Sequence, residues 1–198
     1  MSVVINAGCG PLGGGRLPAL FDTWQQLRVD LDPGVQPDIV ASVTDLSAIP
    51  SESADAVWSA HCIEHLYAHE VSRALGEFYR ILADDGFACI VVPDLQAIAS
   101  YIAADKLHEA IYTSAAGPIS AHDMVYGFGV AIAQGRVGMA HRCGFTPSLM
   151  VQRLQELPFG EILVRRRPSA LELVAVVQKK VVDWNAEKRT ALLAALEL

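Results

Sequence analysis

Short apolar runs alternate with segments of helical periodicity along most of this sequence, and that alternation constrains the fold more than any other feature. The strand-like runs, several of them apolar on both faces, cover residues 3–7, 27–31, 37–42, 55–60 and 87–92. Residues 71–82 repeat their apolar side chains at helical spacing, and Asp84-Asp85-Gly86 predicts where that helix stops. Strands buried on both faces are typical of a parallel sheet covered by helices, so we predict an α/β fold.

The alternation changes after residue 94. Residues 94–143 fit it poorly, with helices predicted at 95–103 and 106–112 and then a glycine-bearing stretch at 117–138. Such excursions commonly form a lid or an acceptor-binding pocket. Thr146-Pro147 predicts the start of a further helix that runs through Glu156. Residues 160–167 and 171–179 are strand-like and separated by only a short turn, which requires antiparallel pairing.

Length and charge exclude several classes of protein. The 198 residues, 52% of them apolar and 19% charged, fit a single domain over residues 1–198. The 15 basic and 22 acidic residues give a net charge of -7, the wrong sign for binding a nucleic-acid backbone. No stretch reaches the roughly 18 uncharged apolar residues of a membrane span, and residues 1–15 lack the basic region of a signal peptide. We expect a cytoplasmic protein that binds neither nucleic acid nor membrane.

A glycine-rich loop, Asn6-Ala7-Gly8-Cys9-Gly10, directly follows the first predicted strand. Glycine there lets a ligand approach the main chain and permits open backbone dihedral angles. Asp30 follows Gly8 by 22 residues, at the end of the second strand, where a carboxylate can accept both hydroxyls of a ribose. Loop and carboxylate together predict a nucleoside-containing ligand.

The identity of that nucleoside stays open at this point. Gly8, Gly10 and Gly13 satisfy GxGxxG, the dinucleotide fingerprint, so an NAD-dependent oxidoreductase is one alternative. Pro11 and the glycines after Gly13 make a poor start for the helix whose N-terminus should hold a pyrophosphate. The antiparallel pair near residue 170 also does not belong to a doubly wound dinucleotide domain.

Further motifs follow the glycine loop in a fixed order and span nearly the whole chain. They are residues 6–10, 30–33, 43–46 with Ile49-Pro50, 55–61, 63–66, 78–82, 85–86 and 92–94. This set resembles the class I S-adenosylmethionine-dependent methyltransferases, in particular the small type-11 kind. The resemblance implies a Rossmann-like, mostly parallel seven-stranded sheet with a reversed last strand and helices on both faces. It also implies S-adenosylmethionine as the cofactor and S-adenosylhomocysteine as its product.

Carried over position by position, the resemblance implies a cofactor site in four parts. The glycine loop would face the methionine part and the ribose, Asp30 would bind the ribose hydroxyls, residues 45–46 would meet the adenine, and residues 59–61 would line the sulfonium end. The implied set is Asn6, Gly8, Cys9, Gly10, Asp30, Leu31, Asp45, Leu46, Ser59, Ala60 and His61. Asn6 departs from the family, which usually has an acidic residue there, although an amide oxygen still accepts hydrogen bonds.

His61-Cys62-Ile63-Glu64-His65 also spells HxxEH, an inverted zinc-protease signature. The motif begins where a strand ends rather than within a helix, and no third ligand on another helix is evident. The four cysteines contain no CxxC pair and are interpreted as free thiols. We therefore predict no metal site.

Methyl transfer mainly requires alignment of nucleophile, methyl group and leaving sulfur, so a catalytic base is optional. The candidates for a base are His61 and His141, with a small-molecule methyl acceptor bound by residues 94–143. A non-catalytic cofactor-binding or regulatory homologue is the alternative from a different class, motivated by Asn6 and the short segment before the first strand. The tail from Trp184 is a helix candidate whose leucines would pack on the body or on another subunit, which would make a homo-oligomer.

Overall fold

The fold is seen in a computed structural model that describes residues 1–12, 17–114, 116–181 and 186–196. These described residues form nine strands: β1 (Val3–Ala7), β2 (Gln25–Asp30), β3 (Ile39–Val40), β4 (Ala54–Ala60), β5 (Leu82–Pro93), β6 (Ala110–Ser114), β7 (Gly117–Ser120), β8 (Glu161–Arg167) and β9 (Glu172–Gln178). The α-helices are α1 (Val71–Ile81), α2 (Leu95–Ala103), α3 (Ala121–Tyr126), α4 (Gly129–Ala133), α5 (Pro147–Gln155) and α6 (Ala186–Ala195). Gly13 and Trp184, used in the sequence argument, lie outside the described residues.

Seven of these strands form one mixed sheet in the order β3-β2-β1-β4-β5-β9-β8. The first five strands in this order, from β3 to β5, pair in parallel with one another. β9 runs antiparallel to both β5 and β8. Its pairing with β8 is antiparallel because the turn between them is too short for a crossover. The predicted α/β fold with a reversed last strand is confirmed.

The side chains of β5 and β9 alternate between two apolar cores, one on each face of the sheet. On one face Ile90 and Ala175 pack in the cluster that α1 and α5 cover through Phe78, Leu154 and their neighbours. On the other face Cys89 and Val176 join a cluster that includes Leu192 of α6. Both faces of the central strands are therefore buried, which explains why their sequence is continuously apolar.

Two local predictions were wrong. Helix α1 ends at Ile81 and β5 begins at Leu82, so the chain leaves the helix before Asp84-Asp85-Gly86. Residues 106–112 form no helix, because they end in β6, which pairs with β7 as a separate two-stranded hairpin. Helices α2 and α3 pack beside this hairpin around Ile98 and Met124.

The C-terminal helix α6 packs on the chain's own body. Leu192 and Leu196 are 3% and 1% exposed and lie in the same core as Phe21 and Phe87. The expected packing on the body is therefore observed, and the homo-oligomer stays a prediction. None of the helices in the described segments is long and apolar enough to cross a membrane.

Candidate functional site

The glycine loop leaves the carboxyl end of β1 and turns back toward β2. Gly8 and Gly10 have φ angles of +74° and +59°, the left-handed region in which glycine carries no steric cost. The backbone N–H groups of Gly8 and Cys9 both donate to the carbonyl oxygen of Val29, at 2.9 and 3.0 Å. The loop is therefore fixed to the end of β2.

The carboxylate of Asp30 joins the glycine loop to the segment after β2. Its Oδ2 accepts the N–H of Gly10 at 2.9 Å and its Oδ1 accepts the N–H of Asp32 at 3.0 Å. Arg28 adds a second tie, because its Nη2 donates to the carbonyl oxygen of Gly10 at 2.6 Å. An ionised carboxylate offers about four acceptor positions, so about two remain, as many as a ribose has hydroxyls. Leu31 beside it is 70% exposed, an apolar surface suited to a nucleoside base.

Gly8 is also required by the approach of the segment that follows β4. A Cβ atom on Gly8 would lie 2.5 Å from Sγ of Cys62 and 2.7 Å from its Cβ. Burial raises the pKa of the Cys62 thiol to about 12, so it packs here as a neutral group. The contact between Gly8 and Cys62 brings the ends of β1 and β4 together.

The segment around Asp45 is held by helix α1. Glu77 accepts the N–H of Leu46 at 2.6 Å, while Arg80 donates to the carbonyl oxygens of Leu46 and Ile49 at 2.8 and 3.0 Å. A hydrogen bond from Arg80 lowers the pKa of Glu77 and keeps it ionised for this contact. The Leu46 side chain is fully buried, so Leu46 presents neither its N–H nor its side chain as a free binding group. Asp45 makes a local bond to the N–H of Ser47 at 3.2 Å and keeps acceptor capacity.

Asn6 and Ser59 lie within the sheet near the same edge. Asn6 is 7% exposed and lies in register with Arg28 of β2 and Trp58 of β4. Ser59 is 1% exposed, and in the described part of the chain its Oγ has no hydrogen-bond partner. Ala60, which follows, is half-buried. The Ser59 hydroxyl is therefore a buried polar group at this edge of the sheet.

His61 follows Ala60 and links β4 to β9 across the end of β5. Its φ of +51° is unusual for a residue with a side chain and indicates local strain. Its Nε2 lies 2.8 Å from Oε1 of Glu172, and its Nδ1 lies 3.3 Å from Oε1 of Glu64. Burial disfavours the imidazolium, but the bonds to Glu172 and Glu64 and their charges outweigh it and raise the pKa of His61 to about 10. In this state His61 holds protons on both ring nitrogens.

Glu64, His65 and His141 meet beside His61. His65 lies in the 3₁₀ turn Ile63–His65, and its ring is 4.8 Å from that of His141, centroid to centroid. Burial lowers the pKa of His141, which favours the neutral imidazole. For Glu64 burial opposes ionisation, but the hydrogen bond and charge of His61 outweigh it and lower its pKa.

The structure thus places the predicted residues at the ends of β1, β2 and β4 at one edge of the sheet, whereas Leu46 is buried in the core. Two groups important at this edge were missed. Glu172 opens the last strand and was not singled out, although a carboxylate beginning an apolar run is a visible signal. Arg28 was assigned only to a strand, and nothing in its spacing shows that it ties down the glycine loop. Both act across neighbouring strands, which requires the sheet order to be known.

Comparisons with known proteins agree with this geometry. Residues 6–90 match the type-11 family model described as a methyltransferase domain. No curated protein sequence is significantly similar to the chain.

Solved structures share the fold at low identity. A Burkholderia thailandensis 1,6-didemethyltoxoflavin-N1-methyltransferase, solved with 1,6-didemethyltoxoflavin and S-adenosylhomocysteine, is 19% identical with a TM-score of 0.53, over 91% of this chain and 72% of that one. An S-adenosylmethionine-dependent methyltransferase from Archaeoglobus fulgidus is 13% identical with a TM-score of 0.59, over 89% and 85%. One from Methanosarcina mazei is 14% identical with a TM-score of 0.58, over 91% and 93%.

The sheet order with its reversed strand defines the class I S-adenosylmethionine-dependent methyltransferase fold, as the sequence resemblance implied. Residues 6–90 match the methyltransferase-domain model within that fold, which agrees with the sequence resemblance. The family match and the S-adenosylhomocysteine bound in the Burkholderia thailandensis structure support the expectation of S-adenosylmethionine as the cofactor.

Proposed function

We propose that this protein transfers a methyl group from S-adenosylmethionine to a small-molecule acceptor. The observation that supports this function best is the Asp30 carboxylate, which ties down the glycine loop and still has acceptor positions free at the carboxyl edge of the sheet. A nucleoside is the ligand whose paired hydroxyls fit that arrangement.

The residues of the site divide between the two ends of the cofactor. Asp30 and the glycine loop bind the ribose side, Leu31 packs against the base, and a free oxygen of Asp45 accepts a hydrogen bond from its amino group. Ser59 and Ala60 lie toward the sulfur, where the buried Ser59 hydroxyl lacks a partner in the described part of the chain. Asn6 replaces an acidic residue at the methionine end and offers an amide oxygen there. The cofactor supplies a methyl group on a positively charged sulfur, an electrophile that needs no further activation.

The acceptor is bound by residues 94–143, which we propose as a lid within the methyltransferase domain. Helices α2 and α3 and the β6–β7 hairpin in this segment have their own small core, so they can form a pocket wall. One side chain of this segment ties it to the sheet: the buried Asp94 caps α2 by accepting the N–H groups of Gln96 and Ala97, and lies 2.9 Å from the guanidinium of Arg166 in β8. A segment of about fifty residues suits a small acceptor better than a macromolecule.

His61 and His141 are the candidate groups for handling the acceptor's proton. His61 already donates to Glu172, so its contribution is to place an N–H group and positive charge at the edge of the site. His141 binds the carbonyl oxygen of Met124 through Nδ1, at 2.9 Å, which leaves the Nε2 lone pair for another partner. Alignment of acceptor and methyl group remains the main task of the protein.

Calorimetry with S-adenosylmethionine, S-adenosylhomocysteine and NAD(H) tests the first half of this proposal. We expect binding of the first two and none of NAD(H). Asp30→Ala should weaken S-adenosylhomocysteine at least tenfold, because two charge-assisted hydrogen bonds are lost. Asp38→Ala is the matched control, since Asp38 also accepts a backbone N–H from β2, that of Arg28, but lies outside the loop. Equal affinities in the two variants would show that the ribose site is misassigned.

Methyl transfer itself is measured as S-adenosylhomocysteine formed on mixing the protein with S-adenosylmethionine and a panel of small amines, phenols, carboxylates and thiols. Turnover that depends on one acceptor class supports the proposal. Cofactor binding without turnover on any class would favour the non-catalytic homologue, and NAD(H) binding alone would favour the oxidoreductase.

A further inference from the structure

Three side chains with metal-ligating atoms converge beside the cofactor edge of the sheet. They are Glu64 and His65, in the 3₁₀ turn after β4, and His141, in the segment before α5. One ligating atom from each lies within 4.8 Å of those of the other two. We propose that these three residues bind a divalent transition-metal ion of the zinc type.

The hydrogen bonds of the two imidazoles leave one ring nitrogen of each free to bind an ion. His65 Nδ1 lies 3.2 Å from the carbonyl oxygen of Ala140, and His141 Nδ1 lies 2.9 Å from that of Met124. A carbonyl oxygen only accepts, so each Nδ1 carries the hydrogen and each Nε2 keeps its lone pair. Metal-binding histidines typically show this arrangement, in which the second nitrogen donates to a carbonyl and fixes the ring.

The carboxylate of Glu64 provides an independent observation. Its side chain is 1% exposed, and its Oε1 lies 3.3 Å from Nδ1 of His61, an ion-pair distance. Within the described residues its Oε2 has no hydrogen-bond partner. A buried carboxylate oxygen without a partner is costly unless a further group satisfies it. An ion held between Glu64 and the two histidines supplies that partner.

The backbone holds the two halves of this cluster together. The N–H groups of Arg142 and Cys143 both donate to the carbonyl oxygen of Glu64, at 2.9 and 3.2 Å. The position of His141 relative to Glu64 and His65 is thus fixed by main-chain bonds rather than by side-chain packing alone. Ligands fixed in this way lose less conformational entropy when an ion binds.

The donor set selects the kind of ion. Two imidazoles and one carboxylate suit zinc and its neighbours in the first transition series better than calcium or magnesium, which prefer oxygen ligands. Bonds of about 2.0–2.1 Å in a tetrahedral site bring ligand atoms to about 3.3 Å apart, so the cluster contracts when the ion enters. Three protein ligands leave a coordination position for water or for an acceptor atom.

This site differs from the one that the HxxEH pattern suggested. His61 and His65 do not share a helical face, because His61 lies in the left-handed region and only residues 63–65 form a turn. The expectation of no metal rested on the start of the motif at a strand end and on the missing third ligand. His141 fills the place of that ligand from 76 residues further along the sequence. Binding of an ion also assigns the Nε2 lone pair of His141 to the metal rather than to a proton.

The proposal is tested by zinc binding to the whole protein, in the absence of S-adenosylmethionine. Protein stripped with a chelator is titrated with Zn²⁺ against a chromophoric competitor, and separately with Co²⁺ while visible absorption is recorded. We expect one ion per chain and cobalt bands of the intensity typical of four or five ligands. Glu64→Gln and His141→Gln should each weaken zinc at least tenfold.

The matched control is His69→Gln, because His69 is exposed, stacks on Tyr67 and lies outside the cluster. It should bind zinc as the wild type does. His65→Gln is the second test should Glu64→Gln fail to fold, with circular dichroism deciding that point. Absence of a stoichiometric zinc site in the wild type, or equal loss of affinity in His69→Gln, would overturn the proposal. S-adenosylhomocysteine binding, measured on the same samples, separates this outcome from failure of the cofactor site.

Discussion

Gly8→Ala tests whether glycine is needed at this position of the loop only for ligand binding or also for packing within the protein. Two costs apply at Gly8. A side chain in the left-handed region costs about 1–2 kcal/mol, and the new Cβ would lie 2.5 and 2.7 Å from the side-chain atoms of Cys62, an overpacking that costs about 1–3 kcal/mol. We expect the free energy of unfolding to fall by about 2–5 kcal/mol.

Gly10→Ala separates the two costs. Gly10 also has a positive φ, but among the described residues no atom beyond its two chain neighbours lies within 4 Å of its Cβ position, so only the backbone cost of about 1–2 kcal/mol applies. Urea denaturation of both variants gives the difference, which we expect to be about 1–3 kcal/mol. For a chain of this size, each kcal/mol of that difference corresponds to a difference in Tm of about 2–4 °C.

A second substitution makes the test sharper. Cys62→Ala removes Sγ but keeps Cβ, so in the Gly8→Ala background it should recover only part of the loss. Equal destabilisation by Gly8→Ala and Gly10→Ala would refute the reasoning, because it would mean that the approach of Cys62 costs nothing.

Three further predictions concern stability. Arg80→Ala should lower the free energy of unfolding, measured by urea titration, by about 1–3 kcal/mol, because two carbonyl oxygens and Glu77 lose a charged partner. Arg153→Ala is the control: it removes one surface ion pair with Glu156 and should cost at most about 1 kcal/mol in the same titration. Asp123 is partly buried, which opposes its ionisation, but bonds from Ser120 and Gly129 outweigh this and hold its pKa below the usual 3.8. The ionised Asp123 carboxylate therefore stabilises the folded state above pH 3.8, and this stabilisation is lost as the pH falls through the lower pKa of the folded state. Urea titrations at descending pH should accordingly show that the free energy of unfolding falls less on acidification in Asp123→Ala than in the wild type. Leu192→Ala should lower the free energy of unfolding by about 2–5 kcal/mol, measured by thermal unfolding, because it opens a cavity under α6. Light scattering on the same samples measures the mass of the assembly. An unchanged mass together with that loss of stability would mean that the leucine contact lies within one chain.

The sheet could be predicted from the sequence because its strands are buried on both faces and carry a continuous apolar signal. The reversal at β9 followed from the short turn after Arg167, since no crossover fits there. Helix α1 was recognised from its spacing, but its end was misplaced because Leu82 enters β5 directly, with no turn residue between helix and strand.

The remainder could not be predicted because it depends on pairing and contacts that the apolar pattern of a single segment does not report. The hairpin of β6 and β7 has few apolar residues, and its pairing is local to the excursion, so residues 106–112 gave a helical pattern that the hairpin overrides. In the site, Asp30 and the glycine loop follow from spacing, whereas the partner of His61 lies 111 residues away in sequence. The periodicity of apolar residues along the sequence does not show a contact between side chains so far apart in the chain.

That separation has a consequence for biosynthesis. The glycine loop, Asp30 and His61 all leave the ribosome before Glu172, and at about 5–20 residues per second the intervening 111 residues take about 6–22 s to make. During this time one edge of β5 has no β9 to pair with, and β8, which is made before β9, must not take its place. An unpaired central strand is prone to associate with other chains. The nascent protein therefore passes through an interval in which the residues of the cofactor edge have been made but the sheet still lacks β9. When β9 pairs with β5, it completes the sheet and brings Glu172 to His61 in the same step.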